Sequence, residues 1–507
     1  MSLNFYHKLS FIIIFFTAGV IVAGITSNIS LGDEPYHFSF AKGIYATQGR
    51  PLYETDYASS PVSKRIIAAP PFWHSILAFI WTILGNINIY AAQIYQGGFY
   101  ALYIVASFLL SKELYGEKTA LLASLYAATT PFAIAYSIML YQDVALTALA
   151  VMSIWLFLKG RLWWAGIVLG LMLATKQNGL FFIPCLILLL FISPKGYKEK
   201  IKDALKLFVP ALIIIAPDIY YRIMYIQPYS SSLFNNIPLE HYPRLYPAVK
   251  ADFVHPSDML GHPFLALAYI GIPTIISLII FIILKCWEKK DVIPAVIIAV
   301  YSILFLFFFW KTPAARYLAP ILPFINITVP KGIGKLLSPD GNKYKALKKI
   351  IVVTLIGGCL IQYAVGIAFI HNKRTIPKEL MEAYDFVREN IKTDGSLFSI
   401  ERAVSIYTGK KTIYHSEASL YEIGYLLFEA DEEEVADILR RHNISHLFIK
   451  KSRIYQDTPY NRNIMGFPKS FIDRLNTFNS YFKKKFENNE AVIFELKTFS
   501  INTGTNK

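Results

Sequence analysis

Roughly eleven apolar runs, each long enough or nearly long enough to cross a bilayer, fill the first 371 residues of this 507-residue chain. They are residues 9–29, 90–110, 120–138, 144–158, 162–174, 180–192, 205–225, 263–284, 292–309, 317–329 and 350–370. In lipid every backbone N–H and C=O must be bonded internally, so runs of this kind predict a bundle of membrane helices. Composition agrees: 54% of the residues are hydrophobic and 17% charged, where a soluble domain carries about 25% charged residues. The fifth and sixth runs are short, and their hinge, Thr175-Lys176-Gln177-Asn178, is expected at an internal cavity.

An error of one span would scramble which loops are basic, so the positive-inside rule tests the count. With a cytoplasmic N-terminus the inner loops carry Lys112 and Lys118, then Lys159 and Arg161, then Lys195, Lys198, Lys200 and Lys202. Lys285, Lys289 and Lys290 follow, and finally Lys331, Lys335, Lys343, Lys345, Lys348 and Lys349. The outer segments are sparsely basic. Counting the apolar stretch Phe72–Leu84 as a span would invert every later loop. It is therefore expected to lie along the outer interface, with Trp73, His74 and Trp81 at headgroup depth. The first run follows Lys8 and shows no persuasive cleavage site, and so reads as a retained signal anchor.

The net charge of +15 is spread between apolar runs and not gathered on one face, which fits membrane orientation and anionic lipid rather than nucleic acid. Cys185, Cys286 and Cys359 all fall in or beside apolar runs, so neither a disulfide framework nor a CxxC metal site can be drawn. Two outer loops are large, 30–89 and 227–261, the second rich in Tyr, Pro and His. After residue 371 the pattern changes to a helix at 379–390, strands at 396–400 and 412–415, a helix at 432–442 and a strand at 445–449. Residues 372–507 are thus expected to form a small soluble α/β domain on the outer face. Within it 483–489 is mostly polar, and the last residues are expected to fray.

Asp33 and Glu34 stand directly after the first apolar run, where a carboxylate is costly unless it has a partner or reaches water. Two readings are open: a helix end facing solvent, or a site. Asp143, in Tyr141-Gln142-Asp143-Val144, lies at the mouth of the third and fourth runs on the same membrane face, either as an N-cap or as a functional group. Lys176, Lys311 and Arg316 are cations at span ends on that face. Singly each would snorkel to the headgroups. Together they suit a lipid phosphate or pyrophosphate, Arg being able to grip phosphate with two N–H groups. In the second large loop His241, Tyr242, Tyr246 and His255 either shape an acceptor pocket or anchor the loop at the interface.

These residues resemble the integral-membrane glycosyltransferases of the GT-C fold, especially the protein O-mannosyltransferase and lipid A aminoarabinose transferase superfamily, over residues 9 to about 330. Asp33-Glu34-Pro35-Tyr36 is similar to the Asp-Glu motif of that superfamily's first outer loop, and Gly49-Arg50-Pro51-Leu52-Tyr53 to its Gly-x-Pro-Leu-Tyr segment. Ala69-Pro70-Pro71-Phe72-Trp73 resembles the Lys/His-Pro-Pro segment that opens a juxtamembrane helix, with Ala69 where relatives carry a base; Lys64 or Arg65 is the proposed substitute. Asp143 matches the acid of the second outer loop, Lys176 the base after the short fifth span, and Arg316-Tyr317-x-x-Pro320 an Arg-Tyr-x-x-Pro element.

The resemblance implies a mainly α, polytopic GT-C fold at residues 1–371, with juxtamembrane helices in the first outer loop, followed by the soluble domain. It implies inverting transfer of a sugar from an undecaprenyl- or dolichyl-phosphate donor to a hydroxyl of protein, lipid or glycan. Asp33 would be the general base, with Glu34 and Asp143 orienting. Lys176, Lys311, Arg316 and Tyr317 would hold the donor phosphate. Tyr36, His37, Lys64, Arg65, His241 and Tyr242 would line the acceptor or donor pocket. No essential metal is expected, although oligosaccharyltransferase relatives hold a divalent ion such as Mg²⁺ or Mn²⁺ between comparable acids. The rival readings are an oligosaccharyl or ligase-type transferase of a preassembled glycan, and a lipid-sugar flippase or transporter. Charges are scarce within the spans, Asp218 and Arg222 excepted, which counts against a transporter.

Overall fold

The computed structural model describes residues 3–29, 34–48, 70–235, 270–309, 320–336, 345–392, 395–401, 403–414, 430–441, 443–455, 467–477 and 480–497. In chain order the first helices are α1 (Leu3–Ile25), α2 (Glu34–Ala46), α3 (Phe72–Leu84), α4 (Ile89–Tyr115), α5 (Glu117–Thr129), α6 (Pro131–Ile138) and α7 (Gln142–Leu158). There follow α8 (Leu162–Leu173), α9 (Phe182–Ile192), α10 (Tyr197–Asn235), α11 (Ile272–Ile283), α12 (Val292–Phe309), α13 (Leu322–Thr328), α14 (Pro330–Leu336) and α15 (Lys345–Arg374). The chain divides into two compact units. The first comprises Met1–Glu34, Ala68–Arg222 and Val254–Thr375; the second comprises Pro35–Ile67, Ile223–Phe253 and Ile376–Lys507.

Among the described residues three helices, His7–Ile25, Ile89–Tyr115 and Lys349–Arg374, are long and apolar enough to cross a membrane. A fourth is added if the bent pair α5 and α6 makes one span. α3, α7, α8, α11 and the segment Gln177–Ile192 are apolar but shorter. The run read from sequence as one span at 120–138 is thus broken, by 51°, at Thr130-Pro131. Proline has no N–H to donate and forces the turn open, and the released carbonyls are taken up by other helices. The Tyr100 hydroxyl donates to Ala128 O, and Gln362 Nε2 donates to Thr129 O at 2.5 Å. Asn326 Nδ2 donates to Thr130 Oγ1 at 2.7 Å. A kink in an apolar bundle persists because neighbouring side chains satisfy it in this way.

α4 is the central helix of this unit and packs on α1, α5 and α7. α8 carries Gly166 and Gly170 one turn apart, and α10 lies directly on them: a Cβ on Gly166 would come within 2.2 Å of Leu207 O, and one on Gly170 within 2.7 Å of Ile214 Cβ. Paired small residues let membrane helices meet backbone to backbone. Gly166→Ala is expected to cost about 1–3 kcal/mol through overpacking, because a backbone carbonyl cannot yield. Gly196→Ala, which meets nothing within 4 Å, is the control, and thermal unfolding in detergent reads both.

α3 has the bounds expected from sequence, and its tryptophans pack against protein. Trp73, His74 and Trp81 are fully buried in protein. Trp73 Nε1 donates to Gln96 Oε1 at 3.2 Å and Trp81 Nε1 to Asn88 O at 2.9 Å. Trp73, Leu77 and Trp81 recur every fourth residue and turn one stripe inward, while Phe79 and Ile83 face outward. A buried indole finds a partner for its N–H, which this stripe provides.

At the end of the bundle formed by the C-termini of α4 and α7, basic loops meet acidic neighbours. Lys159 Nζ lies 2.5 Å from Glu113, Lys331 Nζ 2.9 Å from the buried Asp291, and Lys290 Nζ donates to Leu114 O. The loops that carry Lys159, Lys290 and Lys331 therefore share one end.

The second unit contains α16 (Lys378–Asn390), β1 (Ser396–Ser399), α17 (Val404–Thr408), β2 (Thr412–Tyr414), α18 (Glu432–Arg441), β3 (Ile444–Lys450) and a short pair, β4 (Ile454–Tyr455) and β5 (Phe467–Pro468). α19 (Lys469–Thr477), β6 (Phe482–Glu487) and β7 (Ala491–Leu496) complete it. The main sheet has the order β2-β1-β3-β7-β6, parallel among the first three strands and antiparallel at β7 and β6. Successive residues of a strand face opposite sides. Phe398, Leu447, Ile449, Val492 and Phe494 pack with α18 and α19, and Leu397, Phe448 and Ile493 with α16. The stretch 483–489, expected only to be polar, includes most of the edge strand β6, where exposed Lys483, Lys484 and Lys485 guard an unpaired edge against further strands.

Candidate active site

α7 begins after Tyr141, which occupies the capping position in extended conformation without a side-chain cap bond. Asp143 sits in the first turn instead of at the N-cap, where unpaired backbone N–H groups and the helix dipole favour an anion. One of its oxygens, Oδ1, is 2.6 Å from Lys176 Nζ. The carboxylate is 1% exposed and the lysine side chain 15%. Asp143 Oδ2 is buried and accepts no hydrogen bond from the described residues.

Lys176 is delivered by the tight end of α8. The amides of Thr175 and Lys176 both donate to Met172 O, and Lys176 then turns extended, at φ −155°, ahead of the 3-10 turn Gln177–Phe181. The expected hinge at 175–178 thus places a cation against the start of α7. Tyr301 of α12 lies near Asn178 and within electrostatic reach of Asp143. Buried charges persist when paired and hydrogen-bonded, and this pair meets that condition at one oxygen.

A second buried ion pair braces the segment leading into α7. Glu34 and Arg374 are both fully buried; Nη2 lies 2.6 Å from Oε1 and Nε 3.2 Å from Oε2. This two-point grip matches the planar fork of arginine. Arg374 Nη1 also donates to Gly24 O and to Ser27 Oγ, at the C-terminal end of α1, where a cation complements the helix dipole. Glu34 Oε1 in turn accepts from Leu140 N at 3.2 Å. Helix α6 ends at Ile138 with carbonyls that lack intrahelical partners. Gln96 Nε2 donates to Tyr136 O and Tyr141 O, both at 2.7 Å. With its amide turned so that nitrogen faces Ile138 O at 3.0 Å, Gln93 presents its oxygen to Arg374 Nη2, also at 3.0 Å. Gln142 Nε2 reaches Pro70 O and His74 Nδ1, each at 3.4 Å.

The structure therefore brings Asp143 and Lys176 together and sets Glu34 on the same inter-helix segment. Tyr36 and His37 lie on α2, their rings 5.5 Å apart and edge to face. Asp33, Lys64, Arg65, His241, Tyr242, Lys311, Arg316 and Tyr317 lie outside the described residues. Sequence reasoning passed over Arg374, Gln93, Gln96 and Tyr301. Gln93 and Gln96 were visible as amides three residues apart in an apolar run, which on a helix share one face. Arg374 lay beyond the expected end of the last run, at residue 370, where nothing local in the sequence marks it.

Residues 68–221 match the model of the dolichyl-phosphate-mannose-protein mannosyltransferase family. No curated protein matches the sequence. Among solved structures the fold is similar to ArnT from Cupriavidus metallidurans bound to undecaprenyl phosphate, with TM-score 0.61 and 13% identity over 96% of this chain and 97% of that one. It is similar also to the oligosaccharyltransferase AglB from Archaeoglobus fulgidus in complex with an inhibitory peptide and a dolichol-phosphate. There the TM-score is 0.60 and the identity 12%, over 89% of this chain and 70% of that one. A mutant of the arabinofuranosyltransferase AftD from Mycobacteria matches at TM-score 0.52 and 12% identity, over 96% of this chain and 41% of that one. With these neighbours and the braced pair of acids in place, the chain has the GT-C fold of integral-membrane glycosyltransferases.

Proposed function

We propose that the chain is an inverting membrane glycosyltransferase that moves a sugar from a polyprenyl-phosphate donor to a hydroxyl acceptor at the outer membrane face. The observation that carries this reading is the buried Asp143–Lys176 pair at the start of α7, inside the segment that matches the mannosyltransferase model. The acceptor oxygen attacks the anomeric carbon while the bond from that carbon to the phosphate oxygen breaks. Polyprenyl phosphate departs, and the acceptor proton passes to Asp33, which needs to stand within about 2.6–3.2 Å of the hydroxyl. Phosphate leaves without protonation, so cations suffice: Lys176, Lys311 and Arg316, with Tyr317, would stabilise the charge that develops.

Glu34, held on both oxygens by Arg374, suits an orienting role better than that of a proton acceptor. Asp143 would orient Asp33 or the acceptor through the oxygen that Lys176 leaves unbound. Tyr36, His37, Lys64, Arg65, His241 and Tyr242 would contribute to the sugar and acceptor pocket. About eleven spans, a cytoplasmic N-terminus and an outer 372–507 domain that docks acceptor or stabilises the fold complete the proposal. The likeness to AglB favours a second reading, transfer of a preassembled glycan.

A divalent ion needs several oxygen ligands. Glu34 and Asp143 each face a cation, and no essential divalent ion is part of the proposal. Purified protein in nanodiscs, supplied with a panel of undecaprenyl- and dolichyl-phosphate sugars, is expected to transfer sugar equally with and without EDTA. Activity lost in EDTA and restored by Mg²⁺ or Mn²⁺ would recast Asp33, Glu34 and Asp143 as ligands. Failure of every donor would overturn the transferase reading.

A further inference from the structure

Arg374 is the last residue of α15, and its side chain is fully buried. A cation at the end of a membrane helix ordinarily snorkels to the headgroups at little cost, whereas burying it demands a complete set of partners. Two of the partners found here, Glu34 and Gln93, lead to one segment. Through Glu34 the guanidinium reaches Leu140 N, and through Gln93 it reaches Ile138 O. Its remaining contacts, Gly24 O and Ser27 Oγ, belong to the end of α1, from which the chain runs on toward Asp33. Residues 138–141 form the connection that delivers Asp143 to Lys176.

We propose that Arg374 is a positioning residue of the transfer site, acting through Glu34 and Gln93 to fix the 138–141 segment, and with it Asp143, against the start of the first loop. This rests on the transferase reading above. Arg374 is fully buried among protein partners and would act through them. Its role is geometric, and a displacement of about 1 Å at a reacting group costs on the order of 100-fold in rate.

The test compares wild type with R374Q, E34Q and the double variant E34Q/R374Q, each full length in nanodiscs. Either single variant strands a buried polar or charged partner and is expected to lower the thermal midpoint. The double variant removes both charges and is expected to recover it. If Arg374 positions the site, the recovered double variant still turns over about 100-fold more slowly than wild type with KM for the lipid donor little changed. Peptides covering 138–143 also lose hydrogen-exchange protection. A double variant that regains both stability and turnover overturns the proposal, because the pair would then be structural only. Unchanged exchange at 138–143 overturns it equally. Should wild type move no sugar from any donor, the transferase reading fails, and the exchange measurement alone decides whether Arg374 fixes the segment. If the double variant does not fold, R374K serves in its place. It keeps a charge for Glu34 but has no planar fork with which to reach Gly24, Ser27 and Gln93 at once.

Discussion

Asp33→Asn is expected to lower turnover by about 10²- to 10⁴-fold, the range that a positioned general base contributes, and to leave binding of undecaprenyl phosphate intact. The amide keeps the size and much of the hydrogen bonding of the carboxylate but cannot take a proton at neutral pH. The loss should therefore fall on kcat and not on donor affinity. Near-normal turnover in Asp33→Asn would make the residue structural and remove the proposed mechanism. A uniform rise in KM with kcat preserved would instead assign it to substrate binding.

What was legible in the sequence was whatever is encoded locally. Phe72–Leu84 could be bounded from its apolar run and the prolines before it, and α16, α18 and β3 from periodicity. Asp143 and Lys176 were each marked as charges at the mouths of apolar runs. Their pairing was not legible, since 33 residues separate them and only the packing of α7 against α8 closes the gap. The Glu34–Arg374 pair is harder still, with 340 residues between its members. The protein partners of Trp73 and Trp81 were not legible, because an indole serves equally well at a membrane interface and in a helix contact, and its contacts depend on which stripe meets α4. The break at Pro131 was present in the sequence. Whether proline kinks a membrane helix sharply depends on partners such as Gln362 and Tyr100, and these lie far along the chain. The edge strand β6 was masked by its lysines, although the neighbouring apolar run Ala491–Leu496 supplied a strand signal.

Lys176→Met carries the second large effect, and it separates stability from chemistry. The substitution keeps the length and apolar stem of the lysine but leaves the 1% exposed Asp143 without its cation. Breaking a buried pair from one side costs about 3–5 kcal/mol, because the remaining charge is uncompensated. The expected result is a marked loss of thermal stability together with loss of transfer. Adding Asp143→Asn removes the stranded charge, so Lys176→Met/Asp143→Asn should regain most of the stability, giving a strongly non-additive cycle. Transfer should not return in the double variant if both residues serve the reaction, because it lacks both the cation for the departing phosphate and the acid that orients the base. Recovery of both properties would mean that the pair only holds α7 to the end of α8. The phosphate would then be left to Lys311 and Arg316, and the weight of the site would move from the α7–α8 junction toward the segment before α13.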